Sequence, residues 1–99
     1  MGSDECILYI GNIEIPISNT RFDLKNLVLN FEVDTSYHKI LLEPFNGCKR
    51  KLRCYLTTPK TTFELINCIL YSYLEGNSEG KTIGNGIILS DYCINIDDL

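Results

Sequence analysis

Apolar and polar residues alternate with a period of two through much of this chain, the mark of β-strands with one buried face. Cys6, Leu8 and Ile10 fall on one side of the first run, with Ile7 and Tyr9 on the other. Gly11-Asn12 separates that run from Ile13-Glu14-Ile15-Pro16-Ile17. Two β-rich runs joined by two turn residues predict a hairpin, with Gly at the first turn position as in type II′. Pro16 has no N–H to give to a ladder, which places the second strand at an edge on that side.

After a turn at Ser18-Asn19-Thr20, Leu27, Leu29, Phe31 and Val33 point one way, and Asn30 and Glu32 the other. Asp34-Thr35-Ser36 breaks this run. A fourth strand is expected at about Lys39 to Glu43, ended by Pro44 and Gly47. The fifth alternates most regularly, with Leu52, Cys54 and Leu56 inward and Lys51, Arg53, Tyr55 and Thr57 outward.

The pattern then changes period. Thr61-Thr62-Phe63-Glu64 has the form of a capping box, with Thr61 as N-cap and Glu64 at N3. Phe63, Ile66, Ile69, Leu70, Tyr73 and Leu74 follow at helical spacing, and Gly76 suits the residue after a helix end. These signals predict a helix over about 62–75. Beyond it, a polar Gly-rich connection carries a brief strand at Lys81 to Ile83, and Gly86 to Ser90 and Tyr92 to Ile96 read as one or two last strands. The expected fold is α+β: a mainly antiparallel β-sheet of about five to seven strands with a single α-helix packed on one face.

A length of 99 residues fits one domain over 1–99, with room for a single core. The formal net charge of −4 supplies no general attraction to phosphate backbones, so DNA or RNA is not expected as the primary ligand. No apolar run is long enough to span a bilayer, and the acidic start, Met1 to Glu5, lacks the features of a signal peptide. On that basis the five cysteines are expected as reduced thiols in a cytoplasmic protein.

Four constellations could carry chemistry. Gly76-Asn77-Ser78-Glu79-Gly80-Lys81-Thr82 is one residue short of a P-loop, but it follows a predicted helix where a P-loop follows a strand, and Glu79 would repel phosphate. It is expected as a plain helix-to-strand loop. Cys48 lies beside Lys49, Arg50 and Lys51, cations that would favour its thiolate, and could pair with His38, the single histidine. No third group is evident to orient such a pair, and no cysteine pair has zinc spacing, so neither a metal nor a cofactor is expected. Lys49, Arg50, Lys51 and Arg53 also make a basic hairpin tip, expected as solvated surface that discourages edge pairing.

The fourth constellation is acidic. Glu75 and Glu79 follow the predicted helix, Asp91, Asp97 and Asp98 flank the last strand, and Asp4 and Glu5 open the first. Gathered on one face they would steer a basic protein partner, with Tyr71 and Tyr92 as aromatic anchors. The expected function is therefore a small acidic protein-binding module without enzymatic activity. In this reading it is an immunity or antitoxin protein that neutralises a basic partner, such as a nuclease toxin, by surface complementarity. The alternatives are a structural or adaptor subunit docking through an exposed sheet edge, and a small cysteine-dependent enzyme.

Overall fold

The computed structural model describes residues 6–46 and 52–98, without the side chains of Ser78 and Asp98. Among the described residues the elements run β1 (Cys6–Ile10), β2 (Ile13–Asp23), β3 (Val28–Asp34), a 3₁₀ turn (Thr35–Tyr37) leading into the short helix α1 (His38–Leu42), β4 (Leu52–Thr57), β5 (Thr62–Ser78), β6 (Lys81–Leu89), β7 (Tyr92–Asn95) and a last 3₁₀ turn (Ile96–Asp98).

All pairings are antiparallel. β1 lies between β2 and β4, β3 between β2 and β6, and β5 pairs with both β4 and β6. That circuit closes a six-stranded antiparallel β-barrel, and β7 adds to the start of β5 as an extra strand. The expected α+β sheet with a helix on one face is thus incorrect. Its strand count and antiparallel character hold, but the sheet covers its own apolar face by closing on itself, which also removes most of its edges.

The segment expected as a helix over 62–75 is most of β5, a 17-residue strand. Its inward residues are Phe63, Leu65, Cys68, Leu70 and Tyr73, separated by two, three, two and three positions. Each step of three is a bulge. Asn67 sits at φ 58, and the register with β6 slips between Leu70 and Ser72, which leaves Tyr71 as the extra residue. Two bulges stretch a period of two until it coincides with helical spacing. The segment also carries Thr62, Ile66 and Ile69 and the aromatic Phe63, Tyr71 and Tyr73, residue types that favour a strand.

The converse error lies at 39–43, where α1 replaces the expected fourth strand. The Asp34 side chain accepts a hydrogen bond from the Ser36 N–H at 2.9 Å and so starts the preceding turn. Tyr37, Leu41 and Phe45, spaced by four, then pack on the core from one helical face. Leu41 has no exposed surface. The helix stops at Pro44.

β1, β3 and β4 match their sequence patterns, whereas β2 runs through the turn expected at Ser18-Asn19-Thr20 and β6 is one continuous strand. Gly11, at φ 62, turns β1 into β2. Leu29, Phe31 and Val33 face inward from β3, as do Cys54 and Leu56 from β4. Inward from β6 lie Gly84 and Gly86, whose missing side chains are replaced by the rings of Tyr73 and Phe31. At the end of the barrel away from α1, Phe22 and Phe63 meet edge to face with centroids 5.3 Å apart.

Candidate interaction surfaces

The outer wall formed by β1, β4, β5 and β7 carries several apolar side chains among Arg53, Thr57, Thr62 and Glu64. Alternation along each strand turns Ile7, Tyr9, Tyr55, Ile66, Ile94 and Tyr92 away from the core. The pairing sets them side by side: Tyr9 is opposite Tyr55, Glu64 lies between Tyr55 and Ile94, and Ile66 is opposite Tyr92. Tyr92 is 60% exposed. The charge in this wall is neutralised locally, because Glu64 Oε2 accepts from Arg53 Nε at 3.1 Å and from the Tyr55 hydroxyl at 3.3 Å. Arg53 is largely exposed, so this pair adds little stability, but it removes a lone carboxylate from the patch.

The opposite wall, formed by β3, β6 and the second half of β5, carries a second apolar area. Ile83, Ile87 and Leu89 alternate outward from β6. Leu74 on β5, opposite Asn85, is 70% exposed, and Ile69 and Tyr71 are exposed beside it. Asn19, Asn30 and Asn85 make the rest of this wall polar but uncharged around Glu32, which accepts from Asn19 Nδ2 at 2.7 Å. Leu74, Tyr71 and Ile69 are the exposed apolar side chains of this wall, and grouped apolar exposure is a feature of contact sites.

The acidic residues singled out in the sequence lie at the two ends of β5. Asp91, Tyr92 and Asp97 are beside its start, where the Asp91 carboxylate accepts from Asn67 Nδ2 at 3.3 Å and the Asp97 N–H donates to Asn95 Oδ1 at 3.0 Å. Glu75 and Glu79 are toward its far end, Glu79 in the tight turn to β6 at φ 52. Nine residues separate Glu75 from Ile66, the partner of Tyr92, up to about 30 Å along a strand. Tyr71 stands between the two groups. The side chain of Asp98 lies outside the described residues, as do Asp4 and Glu5.

Glu75 has local partners. Its Oε2 accepts from the Tyr73 hydroxyl at 2.9 Å and contacts His38 Nδ1 at 3.0 Å, tying α1 to β5. Burial and the neighbouring carboxylate push the Tyr73 hydroxyl up to about 12. His38, the base of the thiol hypothesis, is thus engaged by Glu75 in an open depression beside Thr35, Ser36 and Lys39. Cys48 and the basic run Lys49, Arg50 and Lys51 lie outside the described residues. Among the described residues no group of three or more His, Cys, Asp or Glu could hold a metal ion, and no helix is long and apolar enough to cross a membrane. The P-loop-like string is the β5–β6 hairpin, with Glu79 and Gly80 both left-handed at its tip, and not a helix-to-strand loop.

No protein-family model matches this chain, and no curated protein does. Solved structures do. Hcp1 from Flavobacterium johnsoniae superimposes with a TM-score of 0.73 at 13% identity, over 93% of this chain and 94% of that one. The fold is Hcp-like. Hcp2 from Salmonella typhimurium gives 0.66 at 15% identity, over 89% of this chain and 81% of its own. At such identities the likeness is one of fold. These neighbours are not immunity proteins, and the expected function as a toxin inhibitor or antitoxin is withdrawn on that finding.

In the helix expected over about 62–75, Ile66, Ile69 and Leu74 belong to the buried stripe, so their place on the outer walls is not evident from the sequence. In β1 and β7 the face opposite the core carries Ile and Tyr where a half-solvated sheet carries polar residues, while in β4 Tyr55 stands between Arg53 and Thr57.

Proposed function

We propose that this chain is a structural subunit that assembles with copies of itself into a ring or tube, of the kind to which the subunits of type VI secretion tubes belong. It performs no chemistry of its own in this role. The observation that carries the reading is the pair of apolar areas on opposite walls of the Hcp-like barrel, around Tyr92 and around Leu74. One patch alone would pair two copies face to face. Two different patches on opposite walls favour a head-to-tail contact, which repeats and closes into a ring when the rotation between subunits allows.

Mass photometry and negative-stain electron microscopy of the purified chain over a range of concentrations test this. Closed rings are expected. Tyr92→Glu and Leu74→Glu each place a charge in one wall, and each is expected to stop growth while leaving the β-sheet circular dichroism unchanged. Mixed together, the two variants still have one intact wall each and are expected to form a heterodimer and nothing larger. A chain that stays monomeric at every concentration refutes the reading. If one single variant assembles like the parent, the head-to-tail contact is refuted.

A further inference from the structure

The mouth of the barrel at the end away from α1 holds a pocket of about 390 Å³. Its floor is Cys6 and Leu56, both buried core residues. One wall comes from β2, where the irregularity between Ser18 and Arg21 leaves Thr20 and Phe22 less exposed than their neighbours. Pro59 and Lys60 of the β4–β5 turn form the other. That turn is held in place by Thr58. The Thr58 hydroxyl donates to the Thr61 carbonyl at 2.9 Å and accepts from the N–H groups of Lys60 at 3.2 Å and Thr61 at 3.0 Å. The pocket is therefore preformed, with apolar walls and few polar groups, as small-molecule sites are. Two of those groups are available to a ligand. Lys60 is exposed and is the one charged residue among those lining the pocket. Thr20 Oγ1 is buried and has no hydrogen-bond partner among the described residues. Such a hydroxyl is costly, and one step about χ1 exchanges it with a methyl of nearly the same size, so a polar group in the pocket can recruit it.

We propose that this mouth binds a small amphipathic carboxylate, with its apolar tail against Phe22, Leu56 and Pro59 and its carboxylate between the Lys60 ammonium and the Thr20 hydroxyl. The flexible four-carbon stem of Lys60 lets its charge follow the ligand. One cation and one hydroxyl match the single charge and two oxygens of a carboxylate. A phosphate, with up to two charges and three free oxygens, would be left short of donors. Size sets the tail. Liquid water allots about 30 Å³ to each molecule, so the pocket has the space of roughly a dozen non-hydrogen atoms, which suits a medium-chain fatty acid. The inference does not depend on the assembly proposed above, whose walls around Tyr92 and Leu74 are built from other residues.

Isothermal titration of the full chain with sodium octanoate is the test, with hydrogen-exchange mass spectrometry to locate the ligand. Binding is expected at about 1 mM or tighter, with protection confined to peptides covering 18–23 and 54–61. 1-Octanol, the same tail without the charge, is expected to bind more weakly. Lys60→Gln should weaken octanoate by about threefold or more and leave 1-octanol unchanged. Thr20→Val should weaken octanoate as well, yet raise the melting midpoint of the unliganded chain by roughly 4 °C or more, because it removes the unpaired hydroxyl. No heat of binding well above the expected concentration overturns the proposal. So does protection around Tyr92 or Leu74 in place of the mouth, 1-octanol binding as tightly as octanoate, or either variant holding octanoate as tightly as the parent.

Discussion

The inner wall of β6 makes a sharp prediction at Gly86. This glycine is opposite Phe31 in the β3–β6 ladder, and a Cβ built there would come within 3.0 Å of three atoms of the Phe31 ring. Phe31 is 2% exposed and part of the core, so its ring has little room to withdraw. Gly86 is not left-handed, so alanine meets no backbone penalty and the whole cost is steric. Overpacking a core by one methyl costs about 1–3 kcal/mol. The smaller freedom of alanine in the unfolded chain returns about 0.4–1 kcal/mol. Gly86→Ala should therefore destabilise the protein by about 1–2 kcal/mol, or lower its melting midpoint by roughly 5–15 °C. Gly76→Ala is the control, since a Cβ there meets nothing within 4 Å, and it should be neutral or slightly stabilising. Urea denaturation followed by far-ultraviolet circular dichroism measures both. If the clash is the cause, Phe31→Leu in the same chain should recover part of the loss, giving a coupling of about 1 kcal/mol. Equal stabilities for the two alanine variants, or strict additivity with Phe31→Leu, would refute the steric account.

Three further outcomes are expected. Tyr73 has its hydroxyl raised to about 12, above its unfolded value of 10.0, so its contribution to stability is complete below pH 10 and is lost as pH rises through 12. Tyr9 is raised as well, by burial and Glu14, but less, so ultraviolet titration should show Tyr73 ionising last and Tyr73→Phe should remove that last step. The Ser36 N–H holds the Asp34 carboxyl below its usual value, and Asn26 does the same for Asp23. The stability these groups give is present above about pH 4 and lost as pH falls through their lowered values, so Asp34→Asn should flatten the acid limb of a melting-temperature profile. Glu79 is left-handed in the β5–β6 turn, where asparagine is better tolerated, and Glu79→Asn should raise stability by about 0.5–1 kcal/mol in urea denaturation.

Much of the barrel can be read from alternation alone. β1, β3 and β4 keep an unbroken period of two, and their inward residues, Leu8, Leu29 and Leu56 among them, are buried, Leu52 at the start of β4 only partly. The Gly11 turn is equally clear, because a left-handed position at a hairpin tip asks for glycine. What alternation cannot reveal is a change of phase. The bulges at Asn67 and Tyr71 rotate β5 twice, and Thr61 with Glu64 imitates a capping box. Thr61 in fact sits in the β4–β5 turn: its N–H donates to Thr58 Oγ1 at 3.0 Å, and its hydroxyl donates to Asn95 Oδ1 at 2.8 Å. α1 is hidden for the opposite reason: a helix of five residues is too short for Tyr37, Leu41 and Phe45 to stand out as one face.

The irregularity that disguised β5 also shapes the surface on which the proposed function rests. A regular strand of this length would turn every second residue inward from end to end. With Asn67 left-handed and Tyr71 bulged, Leu65 and Cys68 close the seam with β4, while Leu70 and Tyr73 face the core beside β6. Bulges sharpen local twist, and one long strand can thereby serve both walls of a small barrel. Ile69 and Tyr71, which an unbroken alternation from Phe63 would place inside, are turned to the outside, on the face where Leu74 is outward in either phase. The apolar content of β5 thus exceeds what the interior can hold. A barrel of this size has no second core to receive the excess, and in the assembly proposed above the contact between subunits would bury it. β5 consequently carries both the closure of the barrel and the largest exposed apolar side chain of the proposed contact.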